Sequence, residues 1–183
     1  MHEVHLGYMI EDYLSGQDIE ATTYEDIRQA IIKMLVEHKG YPKENLRPKT
    51  PITLTVDGRA YENSVDLVAV ADSGEPLLVL MFCAGEVETY ARQCVAAARL
   101  LPGGPARLAV VTDTRKALLF QVADGTQLEG SSYNALPDWN RLLGLASEVP
   151  SYELDERKKA AEERLFYAFS ELSCSCSDDS CEL

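Results

Sequence analysis

The chain has 183 residues, 46% hydrophobic and 26% charged, an ordinary globular composition that excludes collagen-like and disordered classes and suits one domain with a core. Acids outnumber bases 30 to 17, for a net charge of −13, and a uniformly acidic surface would repel phosphate. The acidity sits at the ends, however: residues 1–26 hold seven acids and no Lys or Arg, 151–183 hold nine acids and four bases, and 27–150 are nearly neutral with 14 acids and 13 bases.

Residues 1–22 read as an acidic arm that Leu6, Tyr8, Met9, Ile10, Tyr13 and Leu14 anchor to the domain. A helix is predicted over 23–38, with Thr23 as N-cap and Glu25 and Asp26 in the first turn, where the helix dipole favours acids. Ile27, Ala30, Ile31, Met34 and Leu35 recur at helical spacing, and Gly40-Tyr41-Pro42 closes the segment. Strands follow at 52–57, 65–71 and 76–84, the first two joined by the Asp57-Gly58 hairpin signal. The run from Leu77 to Cys83 is apolar on both parities, as in a central strand covered on both faces. A helix over 88–101 and strands at 107–112 and 117–122 complete a mixed α/β pattern. A short helix at 137–145 carries Trp139, the only tryptophan.

An amphipathic helix is expected over 152–172, with Leu154, Ala161, Leu165, Ala168 and Leu172 on one face. Phe166, Tyr167 and Phe169 lie nearby, so its apolar stripe needs cover from its own domain, a second copy or a partner protein. The organisation is thus a domain over 1–150, a C-terminal helix over 151–172 and a polar tail over 173–183.

No stretch approaches the roughly 20 apolar residues that span a bilayer, so no membrane association is expected. Met1 to Glu11 lacks the basic and apolar regions of a secretory signal. Five cysteines, two of them (Cys83 and Cys94) in apolar or helical contexts, predict reduced thiols and a cytoplasmic protein. Cys174, Cys176 and Cys181 lack a fourth standard ligand and a standard zinc spacing, and read as part of the tail; His2 and His5 read as solvated.

Several segments in order resemble a known family. They are Glu11 to Gly16, Thr23 to Ala30, Leu35 to Glu37, Gly40 to Arg47, Val65-Asp66-Leu67-Val68, the strand Pro76 to Ala84, and the helix carrying Gln93 and ending Ala98-Arg99-Leu100-Leu101. Over about residues 11–125 the chain resembles the N-terminal nuclease-like domain of type I restriction enzyme R subunits, within the PD-(D/E)XK or restriction-endonuclease-like superfamily. The resemblance implies a restriction-endonuclease-like core, a mixed sheet flanked by helices. It also implies Mg²⁺-dependent phosphodiester hydrolysis by a strand Asp, a Glu and a Lys on the next strand, and a helix Glu. Carried across, the helix acid falls on Glu25, the strand Asp on Asp66, the Glu on Met81, the Lys on Cys83 and a helix Gln on Gln93.

Two of those positions cannot do the chemistry. A thioether is a poor Mg²⁺ ligand, and a thiol supplies no cation. The leading reading is therefore a degenerate nuclease fold kept as a non-catalytic binding or interaction module. In it Glu25, Asp66, Met81, Cys83 and Gln93 are vestigial, no cofactor is bound, and the partner is an unidentified protein or a second copy, with weaker support for nucleic acid. Glu25 and Asp66 remain the weak metal candidates. The alternative is a Mg²⁺-dependent DNA endonuclease rearranged around Asp66, with Glu86, Glu88, Arg92 and Arg99 as groups able to migrate into the site. A second alternative is a thiol-based metal or redox module.

Overall fold

The computed structural model describes residues 4–130 and 132–174. Six strands form one mixed sheet: β3 (Leu46–Val56), β4 (Arg59–Val70), β5 (Pro76–Phe82), β6 (Leu108–Thr112), β7 (Ala117–Gln121) and β8 (Gln127–Gly130), in that spatial order. β5 and β6 run parallel and every other neighbouring pair is antiparallel. The parallel pair needs a crossover, and α2 (Val87–Arg99) supplies it. A separate antiparallel hairpin, β1 (His5–Glu11) with β2 (Asp18–Thr22), precedes α1 (Glu25–Lys39).

Helices cover both sheet faces. On one, Ile31, Ile32 and Leu35 of α1 and Leu142 and Ala146 of α3 (Trp139–Glu148) pack with Leu67, Leu78, Leu80 and Leu119. On the other, the Cys94–Ala98 stretch of α2 and Phe166 of α4 (Glu156–Cys174) pack with Ile52, Leu54, Val79 and Val111. This is the expected mixed sheet flanked by helices. It also accounts for the two-sided hydrophobicity of β5, which is buried from above and below.

Several boundaries depart from expectation. The segment expected as an arm is a hairpin. Its β1 strand exposes Leu6, Tyr8 and Met9, so no buried face marks it in the sequence. β3 begins at Leu46 and runs through Pro48 and Pro51, residues that argue against a strand; it lies at the sheet edge, where a missing N–H costs no ladder bond. Polar β8, the other edge, carries no strand signal. The hairpin signal at Asp57-Gly58 holds, with φ of 49° and 77°, the pairing of positive angles that a two-residue turn requires.

Thr23 does not cap α1. Its amide donates to Val4 O and its hydroxyl accepts from Val4 N, so the hairpin uses the group that would otherwise close the helix. Tyr24 stands at the N-cap without a side-chain bond.

The last helix begins at Glu156 rather than 152, and its buried face is not the expected one. Ala161 and Ala168 are exposed, whereas Glu162, Glu163, Phe166 and Ser170 are buried. Glu162 and Ser170 can face inward here because they are partnered. Arg99 donates to Glu162 at 2.5 Å, and Asn63 donates to the Ser170 hydroxyl at 2.9 Å. Tyr167 stacks on Tyr61 at 4.5 Å between ring centroids. The stripe is thus covered by α2 and the β3–β4 hairpin of its own domain. His2, Cys176 and Cys181 lie outside the described residues.

Candidate functional site

The first turn of α1 places Glu25, Arg28 and Gln29 on one helix face, because residues three and four apart are neighbours. Glu25 and Arg28 are both buried. Arg28 Nη1 donates to Glu25 Oε2 at 2.5 Å, and its Nη2 donates to Asp66 Oδ1 at 3.1 Å. The second Asp66 oxygen accepts from the backbone N–H of Phe82 at 2.8 Å. Lys49 Nζ reaches the same Glu25 oxygen at 2.6 Å. Gln29 extends the network, donating to Glu25 Oε1 at 3.0 Å and to Asp12 Oδ1 at 2.9 Å.

The sheet creates this meeting point through a local irregularity. The β3–β4 ladder pairs Pro48 with Leu67 and Thr50 with Val65, which leaves Lys49 facing Asp66. Lys49 adopts a left-handed backbone, φ 47°, uncommon for a residue with a side chain. Across this point the alternation of buried residues changes phase. Val65 packs on the α2 side and Leu67 on the α1 side, although two residues apart on one strand they would ordinarily share a face.

The Asp12 carboxylate caps the β1–β2 turn, accepting from Ser15 N at 2.8 Å and Ser15 Oγ at 2.6 Å. Burial by itself raises its pKa, but the bonds from Ser15 and Gln29 outweigh it and hold Asp12 below the ordinary carboxylate value.

Sequence reasoning pairs Glu25 with Asp66, and the fold does bring them together, through Arg28. Met81 and Cys83 go elsewhere. They pack with Val79 in the apolar layer under α2 and α4, on the face of the sheet away from α1. Leu77, which strict strand alternation would place on that same face, packs with the α1 layer instead. It is the extra residue where Ala69 pairs with Leu78 and Val70 with Pro76, and a bulge of this kind rotates the side chain. Gln93 is buried and donates to the Ser170 hydroxyl at 3.4 Å, joining α2 to α4.

Two of the four groups proposed to migrate toward Asp66, Glu88 and Arg99, are committed to other partners. Glu88 pairs with Lys116, and Arg99 with Glu162 and the Val122 carbonyl. Cys83 and Cys94 are free and buried. Burial, with smaller effects from the charges of Asp113, Asp66 and Glu88, pushes the Cys83 thiol up to about 11, and burial raises Cys94 as well. Both thiols are therefore protonated near neutral pH.

Arg28 and Lys49 escaped the sequence reading. The i, i+3 spacing of Glu25 and Arg28 was a usable signal for the first. Nothing local marks Lys49, whose approach depends on a strand pairing.

The family described as type I restriction enzyme R protein N terminus matches residues 23–137. The chain belongs to that family. No curated protein matches it. Among solved structures it is similar to part of the DrdV–DNA complex determined by cryo-electron microscopy, at 19% identity and a TM-score of 0.43, covering 68% of this chain and 12% of that one. It is also similar to part of the type IIG restriction endonuclease BpuSI, at 15% identity and a TM-score of 0.38, covering 84% of this chain and 17% of that one. The chain thus spans less than a fifth of either.

The family resemblance implies a divalent cation, and the donor set here does not fit one. Hard Mg²⁺ takes oxygen ligands. The two carboxylates at this point are already engaged by a guanidinium and an ammonium, and the positions that would complete the set hold a thioether and a thiol. Among the described residues, no group of three His, Cys, Asp or Glu side chains is arranged to hold a metal ion.

Proposed function

We propose that this member of the family is a nuclease-like domain that no longer cleaves and serves as a binding or interaction module. The observation that carries the reading is the placement of Met81 and Cys83. They stand where the family's metal-binding Glu and catalytic Lys belong, and they are packed in an apolar layer on the side of the sheet away from Glu25. With neither a carboxylate nor a cation supplied from β5, and with Arg28 and Lys49 already paired to the acids, the site lacks the groups that would offset the charge developing on a phosphate in the transition state.

The β1 strand supports a protein partner. Val4, Leu6, Tyr8 and Met9 are exposed together beside the acidic residues of the hairpin. Buried, reduced Cys83 and Cys94 fit a reducing compartment such as the cytoplasm. Among the described residues, no helix is long and apolar enough to cross a membrane. The same two thiols, protonated and donating to the carbonyls of Gly85 and Val110, favour no redox or metal role.

One observation favours a second reading, a Mg²⁺-dependent endonuclease rearranged around Asp66: Glu25, Asp66 and Lys49 do converge. Nicking assays on supercoiled plasmid and on single strands, with Mg²⁺ or Mn²⁺ and the full chain, separate the two. No cleavage is expected. Cleavage that disappears in Asp66→Ala overturns the non-catalytic reading and establishes the second. A gel-shift series on the same DNA reports whether binding persists without cleavage.

A further inference from the structure

We propose that the Arg28 guanidinium is a built-in replacement for a divalent cation: it bridges Glu25 and Asp66, whose two charges it balances together with Lys49, and a chain without it binds a divalent ion between the same carboxylates. The inference rests on the non-catalytic reading above and extends it to the charge balance of the site.

The geometry is that of a bridge rather than a single ion pair. The two carboxylates come from different elements, α1 and β4, and each presents one oxygen to a different nitrogen of the same guanidinium, at 2.5 and 3.1 Å. Arginine is the side chain suited to this, because its planar fork carries fixed donors and its charge is permanent. Both Arg28 and Glu25 are within the folded interior, with side-chain exposures of 5% and 2%. Burial of a carboxylate at that level is tolerated only when the charge is compensated. Lys49 cannot do this alone, since it is 46% exposed and one ammonium balances only one of the two carboxylates.

The remaining Asp66 oxygen is fixed by the Phe82 amide, and the remaining Glu25 oxygen by Gln29. Neither carboxylate depends on Arg28 alone for its position. Removing the guanidinium therefore leaves two oriented carboxylates against the single, half-exposed ammonium of Lys49, a net negative charge on oxygen donors, the chemistry that Mg²⁺ and Mn²⁺ select.

The test is a thermal-shift comparison of the full wild-type chain with Arg28→Met, which keeps much of the side-chain length and removes the charge. Wild type is expected to show no Mn²⁺-dependent rise in Tm beyond that of its Asp66→Asn variant. Arg28→Met is expected to melt lower in chelator and to recover on adding Mn²⁺. A Kd of about 0.1 mM corresponds to a rise of about 5–9 °C at about 5 mM ion. The rise is expected to vanish in Arg28→Met with Asp66→Asn and in Arg28→Met with Glu25→Gln.

A folded Arg28→Met chain that responds to Mn²⁺ no more than wild type overturns the inference, as does a gain that survives Asp66→Asn. Should Arg28→Met not fold, Arg28→Lys gives the second arm. Its single ammonium cannot span both carboxylates, so a smaller Mn²⁺ rise that requires Asp66 is expected, and no rise overturns the proposal. Failure here is distinct from failure of the proposed function, which turns on Asp66-dependent cleavage of DNA by the wild-type chain.

Discussion

Replacing Arg99 by Leu tests whether α4 is an integral part of this domain. Arg99 Nη1 pairs with Glu162 Oε1 at 2.5 Å, with side-chain exposures of 8% and 10%. Its Nε and Nη2 donate to Val122 O at 2.9 and 2.7 Å, and the guanidinium lies 4.4 Å from the Tyr152 ring centroid. Arg99→Leu removes all of these and strands a buried carboxylate whose second oxygen, Oε2, already has no hydrogen-bond partner among the described residues. Breaking a buried pair from one side costs about 3–5 kcal/mol. For a chain of this size that lowers Tm by about 6–20 °C. The double variant Arg99→Leu with Glu162→Leu removes the stranded charge as well and is expected to be more stable than Arg99→Leu by at least about 1 kcal/mol. Urea unfolding followed by circular dichroism measures each arm of this cycle. A loss below about 1 kcal/mol in Arg99→Leu, or losses that simply add in the double variant, would refute the buried-pair reasoning.

Three further outcomes are expected. Gly58→Ala should destabilise by about 1 kcal/mol through backbone strain alone, because φ is 77° and a Cβ there meets nothing within 4 Å; an unchanged urea midpoint would contradict this. Asp12→Asn should cost about 1 kcal/mol near neutral pH through weakened bonds to Ser15 and Gln29. Since the folded Asp12 pKa lies below its ordinary 3.8, the wild-type advantage is present above that value and lost as pH falls through the folded one; a gap between the two proteins that stays constant into acid would show that Asp12 ionisation is not its source. Finally, Cys83, with its thiol held up at about 11, should escape iodoacetamide in the folded chain near neutral pH and react after unfolding; peptide mass spectrometry showing rapid alkylation of the native protein would contradict its burial.

Much of the architecture follows from local pattern. The periodicity of Ile27 to Leu35, the αL glycine after α1, the Asp57-Gly58 turn and the two-sided apolar run of β5 each specify an element from its own residues. The candidate acids Glu25 and Asp66 came from the family resemblance rather than from local pattern, and the fold brings them to one point. What the local pattern could not carry is anything that depends on a neighbour distant in sequence. β3 passes through two prolines because it is an edge strand, and edge position is a property of the assembled sheet. α4 buries Glu162 rather than its alanines because Arg99 of α2 lies beneath it. Above all, the local pattern could not carry the Arg28 bridge between Glu25 and Asp66. Only the packing of α1 on β4, with Lys49 turned out of the ladder opposite Asp66, brings three elements' charges within hydrogen-bonding reach, and at that range each carboxylate must find its counter-charge inside the protein.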